Sequence, residues 1–223
     1  MGLLIAIGLG ILPSIIWLFF FDHEDHKHPE SIRNLSFAFI LGCFATFFAL
    51  AIQLGLNHYF LEWNIASKSP FAVSLFATIE ELAKFLAVFL MIRSTKYFDE
   101  PLDAMIFMIT VALGFAAVEN VASLINQAGI LEAGVTSKAY ELLMVRFLGA
   151  TLLHSLTSAI VGYHWAVGII AKKLTGWHIF AGLVVASLLH SVFNYLIIRT
   201  GPTTWAIVFV VIVSFFVLID FQK

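Results

Sequence analysis

Seven times along its length the chain runs for about 20 residues or more with few charges, at approximately 2–21, 34–56, 70–92, 102–126, 143–171, 177–199 and 203–221. A helix rising 1.5 Å per residue needs about 20 apolar residues to cross a hydrocarbon core roughly 30 Å thick. No water is available there to satisfy backbone N–H and C=O groups, so each run is expected to close its hydrogen bonds internally as a helix. Composition agrees with the pattern: 61% of the 223 residues are hydrophobic and 12% charged, with a mean hydropathy of +0.99. The expected fold class is therefore all-α, a polytopic transmembrane helix bundle of about seven spans. The longest polar connections, 22–31, 57–69 and 129–138, hold about a dozen residues or fewer, too few for a soluble domain. Residues 1–223 are read as a single integral membrane domain, and any chemistry must occur in or at the bilayer.

The first run lacks a basic leading segment and a small-residue cleavage site, which favours a retained helix over a removed signal peptide. Cys43 is the single cysteine, so an intrachain disulfide and a thiolate cluster are both excluded. A net charge of -2 gives no reason to invoke nucleic acid. Lys27, Arg33, Arg93, Lys96, Lys172, Lys173 and Lys223 border the spans on one side, against Lys68, Lys138, Arg146 and Arg199 on the other. The excess of basic residues on the first side predicts an outside N-terminus and a cytoplasmic C-terminus.

Against this apolar background, Glu80, Glu81 and Lys84 stand in the middle of the third run. Each ionised group at a helix centre costs roughly 2.5 to 3.5 kcal/mol on insertion scales, so three together mark a functional site by default. Helical spacing puts Glu80 and Lys84 on one face and Glu81 about 100° round the helix. A buried structural ion pair would account for Lys84 and one glutamate and leaves the other unexplained. Later runs add Glu119 with Asn120, His154 with Arg146 two turns earlier, and His190 with Asn194 one turn later. Glu80, Glu119, His154 and His190 each fall about 8 to 10 residues from the same end of the bundle, which is roughly 12 to 15 Å of depth. Matched depth on four spans permits one coplanar site facing the interior.

Each residue alone has an ordinary explanation, a histidine bonded to a carbonyl or a protonated glutamate bonded to a serine. As a set they are what hydrolysis requires: groups that activate water and donors that hold an oxyanion. Other polar clusters carry less. His23, His26 and His28, with Asp22, Glu24 and Asp25, fall in a short hydrophilic loop that reads as a solvated connector; His58 and His178 border spans, and His164 lies about three turns from His154. Ser155, Ser158 and Ser191 are common hydroxyl glue between membrane helices. A proton- or cation-coupled transporter would also bury Glu, His and Lys, but along a path through the membrane and not at one level.

The motifs, in order, are Glu80-Glu81-Leu82-Ala83-Lys84, then Phe115 to Glu119-Asn120, then Arg146 leading to His154, then His190 to Asn194. Together they resemble the PrsW family of intramembrane proteases, over approximately residues 71–195. The wider superfamily, the CAAX prenyl endopeptidases and bacterial Abi proteases, reads EExxxR and FxxxH; Lys84 and Glu119 fit the PrsW branch better. The resemblance implies a catalytic core of about 70–199 and hydrolysis of a peptide bond in or near a prokaryotic cell membrane. Its substrate would be a membrane protein or peptide, for the family a membrane-anchored anti-sigma factor.

Two versions of the site follow. In one, Glu119, His154 and His190 are the metal ligands, with Zn the natural ion and the fourth position open to water. Glu80 is then the general base, and Glu81 orients it or pairs with Lys84. In the other, no metal is needed: Glu80 and Glu119 activate water, and His190 with Asn194 holds the oxyanion. Arg146 and Asn120 are supporting residues in both.

Overall fold

The computed structural model describes residues 2–24, 30–94, 101–172, 175–201 and 204–221, and these form helices joined by short turns, with no strand among them. The order is α1 (Gly2–Glu24), α2 (Ile32–Glu62), α3 (Pro70–Ser94), α4 (Asp103–Asn126), a single turn α5 (Ile130–Ala133), α6 (Ser137–Arg146), a π-helical turn (Phe147–Thr151), α7 (Leu152–Ala171), α8 (Thr175–Thr200) and α9 (Thr204–Phe221). His26 and His28 of the histidine-rich loop lie outside the described residues, as do Lys27, Lys96, Lys173 and Lys223 of the charge-bias argument.

Five helical segments among the described residues are long and apolar enough to cross a membrane: α1, α2, α4, the continuous run from α6 through α7, and α8. α3 has the same length but carries Glu80, Glu81 and Lys84 at its centre, and α9 adds a further 18 apolar-rich residues. The chain is thus an all-α, multi-pass membrane protein with helices where the seven apolar runs predict them. One boundary differs. The run expected to begin at 143 starts earlier, at Ser137, because Thr136 caps it by accepting from the Ala139 N–H with its side chain. Ser31 starts α2 in the same way, accepting from Asn34 N.

α4 is the central post. Of its most apolar window 83% is buried, against 22% for α1 and 33% for α2, and it packs on α1, α2 and α7. Small residues allow the close approach. A Cβ on Gly42 would lie 2.0 Å from the Val111 carbonyl oxygen, and one on Gly114 equally close to that of Phe39, so α2 and α4 touch backbone to backbone. Thr46 reinforces the crossing by donating to the Phe115 carbonyl at 3.2 Å. α3 and α8 pack on each other, α8 also packs on α7, and the core beneath them is built from Ile109, Leu113, Leu153, Leu156 and Phe193. This arrangement turns one polar position of α2, α3, α4, α7 and α8 toward a common centre.

Candidate active site

Glu80 and Glu81 are neighbours in sequence and face different surroundings. Glu81 is sealed: neither it nor Lys84 has any exposed surface, and Lys84 Nζ lies 2.6 Å from Glu81 Oε1. The pairing is i to i+3, so Lys84 serves Glu81 and not Glu80, the partner that i to i+4 spacing also allowed. Thr157 of α7 donates its hydroxyl to the same Glu81 oxygen at 3.1 Å, and His190 Nδ1 approaches it at 2.7 Å. Three polar groups, from α3, α7 and α8, therefore meet on one carboxylate oxygen, which offsets part of the cost of burying the charges.

The contact with Glu81 fixes the tautomer of His190. A carboxylate only accepts, so Nδ1 carries the proton and, in the neutral ring, Nε2 holds a lone pair. That Nε2 faces Glu80 Oε2 at 3.5 Å. Two acceptors turned toward each other at this distance need a proton or a metal ion between them. The His154 ring stands edge-on to His190 with centroids 4.8 Å apart. Its Nδ1 is 3.2 Å from Lys84 Nζ and its Nε2 is 3.0 Å from Glu119 Oε2.

Glu119 forms the other pole. Arg146 Nη2 reaches its Oε2 at 3.2 Å, while Arg146 Nε donates to Asn120 Oδ1 at 2.6 Å. Asn120 in turn donates to Thr151 Oγ1 and to the Gly10 carbonyl of α1. The π-helical turn explains how Arg146 and His154 reach one site. Eight residues apart, they would stand about 80° apart on an unbroken α-helix, and the extra residue held in the wider turn brings them to within about 20°. Trp17 of α1 pins that turn, donating Nε1–H to the Phe147 carbonyl at 3.0 Å and stacking on the Phe147 ring.

A cavity of about 500 Å³ opens onto these groups. Glu80, Glu119, Arg146, His154, His190 and Asn194 all line it, whereas Glu81, Lys84 and Asn120 lie behind its wall. Its α2 wall includes Phe47 and Leu50, which are also 58% and 46% exposed on the outside of the bundle. On this side the cavity borders the lipid.

Polar groups of this kind, on these four helices in this order, are what the motif pattern required, and comparison with known proteins decides the matter. The profile described as PrsW family intramembrane metalloprotease matches residues 30–219. The chain belongs to the PrsW family. It is similar to Protease PrsW of Geobacillus kaustophilus, 26% identical over 86% of this chain and 79% of that protein. It is also similar to Protease PrsW of Bacillus subtilis, 28% identical over 89% and 84%, and to that of Clostridioides difficile, 22% identical over 92% and 83%. No solved structure matches it. The protein is accordingly an intramembrane peptidase.

The donor set can be tested against a metal. Among the described residues, Glu80, His154 and His190 each offer one ligand atom, all within 4.8 Å of one another. The 3.5 Å separation of Glu80 Oε2 and His190 Nε2 matches the roughly 3.4 Å edge of a tetrahedron with bonds of about 2.1 Å. His190 also has its second nitrogen held by a carboxylate, the usual partner of a metal-ligating histidine. Glu80, His154 and His190 thus form a possible metal site. Glu80 stands in this group where the sequence pattern suggested Glu119, whose Oε2 is shared between Arg146 and His154. Two contributors went unread in the sequence: Thr157, one turn beyond His154, and Gln53 of α2, whose Nε2 donates to Glu80 Oε1 at 2.9 Å.

Proposed function

We propose that this peptidase cleaves a membrane-anchored substrate at the level of Glu80, His154 and His190, which hold a divalent metal ion, zinc being the best match. The observation that carries the reading is the facing pair of acceptors, His190 Nε2 and Glu80 Oε2, beside His154. A bound ion of this type polarises a carbonyl oxygen and makes a water molecule easy to deprotonate. Glu119, a cavity-lining carboxylate fixed by Arg146, takes the proton from water and returns it to the leaving amine. Asn194, one turn from His190 on the cavity wall, donates to the developing oxyanion. Lys84, Thr157 and Glu81 hold the two histidines in orientation. The substrate enters from the lipid past Phe47 and Leu50, and the largely apolar wall favours uncharged side chains beside the scissile bond. A membrane-anchored anti-sigma factor in a prokaryotic membrane is the substrate that the motif resemblance suggests, with the N-terminus outside and the C-terminus cytoplasmic.

A second reading is favoured by one contact. Lys84 Nζ, which only donates, faces His154 Nδ1, so the His154 proton sits on Nε2 and points at Glu119. In that state His154 and Glu119 form a hydrogen-bonded dyad, and glutamate alone activates water.

Metal content of purified protein in chelator-washed buffer separates the two. One equivalent of zinc in the wild type, retained in Glu119→Gln and lost in Glu80→Gln and in His154→Ala/His190→Ala, is the expected result. No stoichiometric metal in active wild type selects the dyad, and loss of zinc in Glu119→Gln with retention in Glu80→Gln exchanges the roles of the two glutamates.

A further inference from the structure

Glu80 and Glu81 differ sharply in how they are held. Glu81 has Lys84, Thr157 and His190 on its Oε1. Among the described residues Glu80 has one hydrogen-bond donor besides the 3.5 Å approach of His190, and that donor is Gln53. Gln53 comes from α2, outside the four helices that carry the motifs, and sits near the end of the apolar run 34–56.

The orientation of its amide is settled by its neighbours. Nε2 lies 2.9 Å from Glu80 Oε1 and 3.4 Å from the Phe76 carbonyl oxygen. Both partners only accept, so the NH2 end must face them. One donated bond to Oε1 stops the Glu80 carboxylate from turning about its last torsion, which is otherwise soft. The remaining oxygen, Oε2, is then the one presented to His190 Nε2. The reach of Gln53 depends in turn on the backbone contact between α2 and α4 at Gly42 and Gly114. An amide in this place has no packing advantage over the nearly isosteric methionine.

We infer that Gln53 is the positioning residue of Glu80: it aims Oε2 at the shared centre of Glu80, His154 and His190, and so acts on catalysis through Glu80 without touching the reacting atoms. The inference rests on the reading above that Glu80 takes part in the chemistry.

The test uses the full chain in detergent, as wild type, Gln53→Met, Glu80→Gln and the double variant, with Gln53→Leu as a second donor-free variant. Two quantities are read: kcat and KM on a quenched fluorogenic peptide bearing an apolar transmembrane-type segment, and zinc affinity by chelator competition. Loss of an outer hydrogen-bond partner of a metal ligand typically costs 10- to 100-fold in affinity or activity. The expected result for Gln53→Met is a kcat about 10- to 100-fold lower at unchanged KM, zinc binding weakened by a similar factor, and no further fall in the residual kcat of the Glu80→Gln background. A KM increase at constant kcat would make Gln53 a substrate contact and overturn the inference. Equal losses in both backgrounds would make it a general structural residue, and wild-type values in both donor-free variants would leave it no role. If the wild type binds no zinc, the kcat and KM comparison decides alone. A Glu80→Gln variant that cleaves at the wild-type rate removes the reading of Glu80 and this inference together, whereas an inactive Glu80→Gln beside an unaffected Gln53→Met removes the inference alone.

Discussion

The two poles of the site are built from adjacent residues of one helix and differ in what water and lipid can reach. At the sealed pole, Glu81 and Lys84 have no exposed surface, pair with each other along α3, and are joined by Thr157 of α7 and His190 of α8. At the open pole, Glu80 is 8% exposed, lines the cavity, and is held by a single amide. A charge held by three donors on one oxygen, as Glu81 Oε1 is, is fixed in place, whereas a sparsely held one keeps a lone pair to offer. The sealed pole thus acts as the joint between α3, α7 and α8, and the open pole does the work that the joint supports.

The sharpest way to break this comparison is at Glu80. Glu80→Gln is expected to lower kcat by about 10²- to 10⁴-fold, the range for losing an acid, base or ligand carboxylate, with an unchanged thermal midpoint in detergent. A large drop in the midpoint would mean that the open pole is structural as well. Next comes Lys84→Met, which strands the Glu81 charge in a dry interior. Removal of one partner of a buried pair costs about 3–5 kcal/mol, so unfolding in graded denaturing detergent should show a loss of that size together with loss of activity. Thr157→Val deletes one hydroxyl from the same carboxylate while keeping the shape, for an expected loss of about 1.5–3 kcal/mol in the same assay. Smallest is Gly114→Ala, which pushes α2 off α4; overpacking of this kind costs about 1–3 kcal/mol. It should lower kcat at the same time, because Thr46 and Gln53 move away with α2, and a stability loss with full activity would uncouple α2 from the open pole.

Much of this was legible in the residues. Each apolar run had to be a helix, since lipid offers the backbone no other partner, and seven runs gave the bundle its order. The cost of charge in hydrocarbon singled out Glu80, Glu81, Lys84 and Glu119, and depth counted along each span placed them level with His154 and His190. Gln53 was passed over because a neutral amide carries no comparable penalty, although its distance from the end of α2 matches that of Glu80 from the start of α3. Thr157 was hidden among ordinary membrane hydroxyls. The π-helical turn left no readable trace, and without it Arg146 and His154 would not share a face.

By itself, then, the sequence determined which segments are apolar helices and which polar residues the bundle must shelter, because hydropathy and helical rise are properties of the chain alone, and its motifs carried the resemblance to the PrsW family. Only the tertiary structure decided which glutamate Lys84 serves, which oxygen of Glu80 faces His190, and that α2 supplies the amide holding it. Those choices turn on the rotation of each helix about its own axis, and that rotation is set by backbone contacts such as Gly42 against Val111 and Gly114 against Phe39, between residues far apart in sequence.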